Sequence, residues 1–161
     1  MIIMDFIFHL LWSFIIFHKA DFFVSMLAVF FGALPDFVAF VPLFFEMMLF
    51  GRKIDFKKRD EKQVPKYVFK LYNISHSIVI FIILFIPAYM LFGPIALVMI
   101  TWFIHILVDI PTHSRAFFGT RFLYPLSDYS FDGYTWSNWK SLAVNYSLIM
   151  IFFILILMGI F

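Results

Sequence analysis

Residues 71–104 read LYNISHSIVIFIILFIPAYMLFGPIALVMITWFI and contain no formally charged side chain. As one α-helix, these 34 residues would be about 51 Å long, whereas the hydrocarbon core of a bilayer is about 30 Å thick. Glycine followed by proline is a strong turn signal, and Gly93-Pro94 lies inside the stretch. The pattern therefore predicts two membrane-spanning helices, over about 71–92 and 95–110, joined by a tight turn.

The composition of the whole chain points to the same solvent. Of its 161 residues, 64% are hydrophobic and only 14% are charged, whereas about 25% of the residues in soluble domains are charged. A chain this apolar could not cover its surface with polar groups in water, which excludes a soluble enzyme and a nucleic-acid-binding module. We therefore expect one domain over 1–161, an all-α integral membrane protein with a bundle of four to five transmembrane helices.

Other apolar stretches supply the remaining helices. Three of them predict spans: 2–17, 22–35 and 141–161. The first lacks a basic n-region and a small-residue cleavage site, so we interpret it as an uncleaved span and not as a signal peptide. Residues 37–50 are apolar but include Pro42 and Glu46 and number only 14. They predict a short re-entrant or interfacial helix, with a full span as the alternative.

Charge is concentrated in one segment, 51–70. It holds eight basic and three acidic side chains, a net charge of +5, while the rest of the chain has four basic and seven acidic ones, a net charge of −3. Basic loops stay in the cytoplasm by the positive-inside rule. We therefore predict that 51–70 is a cytoplasmic loop, which places the start of span 71–92 and the end of span 95–110 near the cytoplasmic face.

Ionisable residues interrupt the apolar segments although each is costly there, at about 2.5–3.5 kcal/mol for Asp at the centre of a helix. His105 and Asp109 are four residues apart and share a helical face. Imidazole and carboxylate together suit zinc and similar divalent ions. The residues in or at the ends of the apolar segments are His9, Asp36, His76, His105 and Asp109, with His113 just beyond them.

The predicted depths bring these residues together at the cytoplasmic face, Asp36 only if its span ends there. Taken singly, each has a plain interpretation, such as a histidine bonded to a neighbour or Asp109 paired with Arg115 or Arg121. Taken together, they predict a metal site. Pro111 interrupts the helix after Asp109, so we expect His113 to approach from a loop.

Residues 111–140 form a long loop with nine aromatic side chains. Aromatic residues gather at the headgroup level of membranes, so one interpretation is an interfacial belt. Long loops in compact domains are often functional, so the other interpretation is a lid over the metal site. In that case Arg115 and Arg121 would be available to hold a phosphate.

Five motifs occur in order along the chain: FHLLWS around His9, GALPDF around Asp36, ISHS around His76, HILVDIPTH from His105 to His113, and TRFLYPLSDYSFDG after them. In these motifs the chain resembles the YdjM-like family of bacterial and archaeal inner-membrane metal-dependent hydrolases. That family is considered a distant membrane relative of the zinc-dependent phospholipase C and single-strand nuclease superfamily. The resemblance covers roughly residues 5–135.

The resemblance implies a fold, a cofactor and a reaction. It implies an inner-membrane enzyme with one to three divalent ions, zinc being the expected metal, that hydrolyses a phosphate ester or phosphodiester, including that of a lipid. Asp36 or Asp109 would also serve as general base. The implied metal ligands are His9, Asp36, His76, His105 and Asp109, and, with a different spacing in the soluble relatives, His113.

Two other classes of function fit the same residues. A proton or metal-ion transporter also uses intramembrane His and Asp, and it would spread them across the membrane depth. A non-catalytic scaffold would use a closed, structural metal site. Membrane lipid is the expected partner in every case.

Overall fold

The computed structural model describes residues 2–51, 53–56, 58, 60–135 and 138–161, and these residues contain no β-strand. The all-α prediction is confirmed. Arg52, Lys57 and Arg59 of the basic segment and Trp136 of the aromatic loop lie outside the described residues. The α-helices are α1 (Ile2–Ile16), α2 (Phe22–Phe50), α3 (Lys66–Ser75), α4 (Ile78–Phe92), α5 (Ile100–Thr112) and α6 (Trp139–Leu157), with short 3₁₀ helices at Glu61–Gln63 and Gly93–Met99.

Three helical stretches are long and apolar enough to cross a membrane, as expected of a membrane protein. They are Phe22–Phe50, Ile78–Thr112 and Trp139–Leu157. In α1, residues Phe6–Ile16 form a shorter apolar helix.

The stretch Ile78–Thr112 is folded back on itself at Gly93. The φ angle of Gly93 is +62°, and the following residues form a 3₁₀ helix before α5 begins. The ring centroids of Phe81 and Phe103 lie 5.4 Å apart, whereas residues separated by 22 positions in a straight helix would be about 33 Å apart. The predicted break at Gly93-Pro94 is therefore confirmed, with a turn of 3₁₀ helix where a tight turn was expected.

Helix α2 corrects the prediction that a span ends at Pro35 and that 37–50 forms a separate helix. It is continuous over 29 residues with both Pro35 and Pro42 inside it, and it is about 44 Å long. Each proline removes only one backbone hydrogen bond. Packing compensates for this loss, because Ala39 and Leu43 are fully buried against Val68 of α3.

The predicted helix over 71–92 is also wrong, because it is divided at His76. Helix α3 ends at Ser75, and Ser77 has extended backbone and caps α4, accepting a hydrogen bond from the N–H of Ile80 at 3.2 Å. Serine is among the best N-cap residues because its hydroxyl satisfies one of the free N–H groups of the first turn. Since α3 begins at Lys66, the last part of the predicted 51–70 loop is helical.

The directions in which the helices run decide which helix ends lie at the same level of the bundle. Helices α2 and α5 run parallel, since the Thr101 hydroxyl donates to the Ala28 carbonyl and His105 Nδ1 to that of Gly32, both at 2.7 Å. Helices α1 and α4 run the opposite way, because each is joined to its neighbour by a turn. Asp36, the start of α4 and the end of α5 consequently lie at one level, at the end of the α4–α5 hairpin opposite Gly93.

Candidate metal centre

Helix α5 contributes His105 and Asp109 from one face, as their spacing predicts. Both side chains are buried, and His105 Nε2 lies 3.2 Å from Asp109 Oδ2. The other ring nitrogen, His105 Nδ1, hydrogen-bonds to the carbonyl of Gly32. The parallel packing of α5 on α2 therefore orients the imidazole toward Asp109.

The junction between α3 and α4 contributes His76, which is fully buried. Its Nε2 lies 3.1 Å from Asp109 Oδ2 and 3.1 Å from His105 Nε2. Its Nδ1 lies 3.0 Å from the carbonyl oxygen of Tyr72, and its backbone N–H donates to the same carbonyl at 2.8 Å. The end of α3 thus holds the ring of His76 by its backbone.

The hydrogen bonds assign the tautomers of these two histidines. A carbonyl oxygen can only accept, so Nδ1 of His76 and Nδ1 of His105 each carry a hydrogen. In the neutral rings both Nε2 atoms then present lone pairs to Asp109 Oδ2, which is itself an acceptor. Three acceptors within about 3.2 Å of one another are stable only when a proton or a metal ion lies between them. Metal-ligating histidines have the same arrangement, with the second ring N–H donated to a carbonyl.

The surroundings of His76 also favour a proton on its ring. Burial alone would lower the pKa of His76, but hydrogen bonds and charge from Asp109 and Asp36 outweigh it and raise the pKa of His76 to about 9. A metal ion would replace this proton, since imidazole binds metals in its neutral form.

His9 and Asp36 complete the cluster from α1 and α2. His9 Nε2 lies 3.2 Å from Asp109 Oδ1, and its ring stacks on that of His105 with centroids 3.5 Å apart. Asp36 Oδ1 lies 3.6 Å from His76 Nε2 and 3.9 Å from His105 Nε2. The side chain of Asp36 is 13% exposed, against 1% for Asp109, so Asp36 is the carboxylate nearer to solvent.

The residues present fit a divalent cation. Ligand atoms of His76, His105 and Asp109 all lie within 4.8 Å of one another, and so do those of His9, Asp36 and His105. Buried Asp109 Oδ1 has His9 Nε2 at 3.2 Å but no hydrogen bond of good geometry among the described residues, and a cation at this point would satisfy it. The two groups share His105, so the cluster can hold one ion or two adjacent ones.

His113 and Glu46 belong to neither group of converging ligand atoms. His113 caps the end of α5 in extended conformation, so it enters from a loop as expected. Its Nδ1 lies 3.2 Å from the Asp109 carbonyl and 3.8 Å from Asp109 Oδ1, and burial lowers the pKa of His113. Glu46 accepts a hydrogen bond from the hydroxyl of Tyr67 at 2.6 Å.

Gly32 is a functional position that the sequence reasoning missed. Besides accepting the hydrogen bond from His105, it lies in a close contact between α1 and α2, since a Cβ atom at Gly32 would overlap the hydroxyl of Ser13. A larger residue would push α1, and with it His9, away from the cluster. The signal was present as a small residue one helical turn before Asp36.

Part of the aromatic loop packs against Tyr72, whose ring stacks on that of His76 with centroids 3.8 Å apart. Phe118 is buried in contact with Phe40 and Tyr72, and the hydroxyls of Thr120 and Tyr72 lie 3.0 Å apart. Other aromatic side chains of the loop, such as Tyr134, are largely exposed. The loop therefore has one part buried beside Tyr72 and another part whose aromatic side chains are exposed.

The contacts of Arg115 and Arg121 do not indicate a phosphate site. Nε of Arg115 donates to the carbonyl of Ser130 at 2.7 Å, and Nη1 of Arg121 lies 2.8 Å from Asp128 Oδ1. Both cations are therefore engaged within the loop, and Asp109 is surrounded by histidines where a pairing with either arginine was the alternative.

Comparison with known proteins leaves the chain without a detectable relative. No family model matches it, and no curated protein and no solved structure is significantly similar to it. The converging His and Asp side chains, buried in an all-α and membrane-like fold, are therefore the feature from which its function has to be inferred.

Proposed function

We propose that this protein is a membrane-embedded, metal-dependent hydrolase of a phosphate ester or phosphodiester, including that of a lipid. One observation carries the proposal: Nε2 of His76, Nε2 of His105 and Oδ2 of Asp109 converge within about 3.2 Å, with both Nδ1 atoms facing carbonyl oxygens. The resemblance to the YdjM-like family supplies the reaction class.

Five helices, α1, α2, α4, α5 and α6, cross the membrane in this proposal. At about 44 Å, α2 exceeds the hydrocarbon core, so its second half extends beyond the core beside α3. The basic residues of 51–70 are at that end, which makes it the cytoplasmic end. The cluster then lies near the cytoplasmic face of a bacterial or archaeal inner membrane.

Each residue of the cluster has its own role in the proposed reaction. A divalent ion, zinc in this proposal, lowers the pKa of a bound water and polarises a phosphoryl oxygen. Asp109 is enclosed by histidines and serves as the central ligand. Asp36 is looser and more exposed, and therefore accepts the proton of the attacking water as general base. His9 completes the ligand set from α1.

The transporter is the less favoured alternative. A relay requires ionisable groups at successive depths, with a path between them. The five ligand residues converge at one level, the end of the hairpin opposite Gly93. A structural metal site in a scaffold remains an outcome of the experiments below.

Metal analysis of the purified protein tests the first half of the proposal. We expect about one or two equivalents of zinc in the wild type and a loss of zinc in His105→Ala and Asp109→Ala. His18→Ala is the matched histidine control, because His18 bonds to the carbonyls of Ile15 and Phe161 and is in neither group. A wild type that cannot take up zinc or another divalent ion contradicts the proposal.

Hydrolysis is tested separately, with the protein reconstituted in vesicles. We expect zinc-dependent release of product from phosphodiester and phospholipid substrates, with loss of activity in Asp36→Asn while zinc is retained. Asp128→Asn, an exposed carboxylate paired with Arg121, is the control. Stable zinc binding with no turnover of any phosphoester would contradict the enzyme and favour the scaffold.

A further inference from the structure

A cavity of about 1330 Å³, apart from the metal cluster, lies between α1, α5 and α6. None of the candidate metal ligands lines it, although Phe8, Ile104 and Val108, which do, are each adjacent in sequence to one of them. Ordinary small-molecule pockets measure about 300–1,000 Å³. The cavity is therefore a separate site, and it is large enough for more than a small polar metabolite.

The cavity has a polar end and an apolar end. Helix α6 runs parallel to α1, as the edge-to-face contacts of Phe8 with Tyr146 and of Trp12 with Phe152 show, and so it runs antiparallel to α5. Most polar lining groups lie where α5 ends and α6 begins, namely Thr112, Thr135, Asn138, Lys140 and Ser141. Asn145 lies farther along α6, where it accepts the hydrogen bond of the Trp12 indole. At the other end the lining is apolar, with Ile104 and Leu148.

The polar end carries positive charge. Among the described residues of the lining, Lys140 is the single basic one and none is Asp or Glu. Its Nζ lies 5.8 Å from the centre of the Trp139 ring, and the residue is exposed. An anionic group at this end would be next to a cation and would meet no carboxylate of the lining.

The apolar end is open because the side chains of α6 bond to and pack against α1 and leave a gap toward α5. The indole N–H of Trp12 donates to Asn145 Oδ1 at 2.8 Å, and Ile149 is the buried residue of α6. Leu107 of α5 and Val144 of α6, which both line the cavity, are 43% and 61% exposed. Apolar side chains from both helices thus line a gap that continues for about 12 Å along α5 from Thr112 to Ile104.

We propose that the cavity binds an anionic phospholipid, with its phosphate at Lys140 and an acyl chain between α5 and α6. A positively charged end followed by a mainly apolar gap is complementary to such an amphiphile, whose headgroup is anionic and whose chains are apolar. The inference concerns a site apart from the metal cluster, and it holds whether or not the cluster binds metal.

Quenching of tryptophan fluorescence by brominated acyl chains tests the proposal, because Trp12 and Trp139 line the cavity. The full chain in detergent micelles is titrated with brominated phosphatidylglycerol or brominated phosphatidylcholine. We expect phosphatidylglycerol to quench at a roughly five-fold lower concentration, the effect of one cationic side chain at an anionic headgroup. Equal quenching by the two lipids overturns the proposal.

Variants that remove or keep the charge of a single lysine test whether the lipid preference arises at the cavity. Lys140→Gln is expected to abolish the preference for phosphatidylglycerol, while Lys140→Arg, which keeps the charge, and Lys70→Gln, an exposed position on α3, retain it. A preference that persists in Lys140→Gln, or that Lys70→Gln also removes, contradicts binding at the cavity. Inorganic phosphate at the same concentrations should not displace the lipid, and displacement by phosphate would show that an anion alone is recognised.

A second test places a larger side chain in the gap between α5 and α6, and it does not depend on charge. Val144→Phe places a larger side chain in the lining and should weaken quenching by both lipids several-fold. Met150→Phe adds the same ring on an exposed part of α6 outside the lining and should leave quenching unchanged. An equal response of the two variants overturns the proposal. Removal of metal with a chelator should change neither result.

Discussion

Helices α5 and α6 are both apolar enough to belong in a membrane, but they have opposite positions in the molecule. Helix α5 buries two candidate metal ligands together with Thr101, Trp102 and Ile106, whereas Ile149 is the residue that α6 buries among the described residues. Hydropathy places both helices in the bilayer and does not distinguish between them. Their polar side chains distinguish the two helices, because an apolar side chain such as leucine is as stable among lipid tails as in a protein interior.

The difference is visible in the bonds that each helix makes. From α5, Thr101 and His105 donate to carbonyls of α2, and Trp102 Nε1 donates to the carbonyl of Ser75 at 2.7 Å. From α6, Asn145 accepts a hydrogen bond from Trp12. Side chains that reach backbone carbonyls of other helices therefore define the centre of the bundle.

The largest effect is expected at Asp109, the ligand on α5 that three histidines face. Asp109→Asn keeps the shape but removes the charge and one ligand, so zinc affinity should fall at least about 100-fold, since loss of an outer-shell partner alone costs 10–100-fold. Competition with a zinc indicator measures the affinity. Asp128→Asn is the exposed control, and an unchanged affinity in Asp109→Asn would show that Asp109 is not a ligand.

A smaller loss is expected when the indole N–H of α5 is removed. Trp102→Phe leaves the buried carbonyl of Ser75 without this donor, so the free energy of unfolding should fall by about 2 kcal/mol. The matched variant on α6, Trp139→Phe, changes a side chain that is 72% exposed and should stay within about 0.5 kcal/mol of the wild type. Reversible unfolding in mixed micelles compares them, and equal losses would contradict the central place of α5.

The hydroxyl of Thr101 should contribute less than the indole. Thr101→Val removes its hydrogen bonds to the carbonyls of Ala28 and Val98, and we expect a loss of about 1 kcal/mol. Ser147→Ala removes an exposed hydroxyl from α6 and serves as the control. The same unfolding assay applies, and a loss as large in Ser147→Ala would show that these hydroxyls do not distinguish the helices.

The smallest effect is expected at the contact between α1 and α6. Asn145→Leu removes the acceptor of the Trp12 N–H and should lower the free energy of unfolding by about 0.6 kcal/mol, the average for an interhelical hydrogen bond in a membrane protein. Zinc affinity should not change, because α6 contributes no ligand. A fall in zinc affinity in this variant would mean that α6 supports the metal cluster.

Much of the cluster could be predicted from local pattern. His105 and Asp109 share a face because four residues make about one turn, and this holds wherever the helix lies. The Gly93-Pro94 signal located the hairpin for a similarly local reason. Five of the six candidate ligands, His113 being the exception, belong to the converging groups.

The errors arose where packing outweighed local signals. Pro35 and Pro42 suggested a helix end, but α3 buries Ala39 and Leu43 beside them, and this burial offsets the lost hydrogen bonds. In the other direction, the apolar run over 71–92 suggested an unbroken helix, whereas Ser77 begins a new one. No periodicity within 71–92 marks that break, because both sides of it are apolar.

The amino-acid pattern alone decides that this chain is helical, that it is too apolar for water, and that the candidate ligands in its apolar segments are histidine and aspartate. These are properties of composition and short-range spacing. Tertiary structure decides which nitrogen of each histidine faces Asp109, because the carbonyls that hold Nδ1 belong to the end of α3 for His76 and to α2 for His105. The carbonyl of Gly32 is 73 positions from His105 in sequence, and only the packing of α5 on α2 brings the two together.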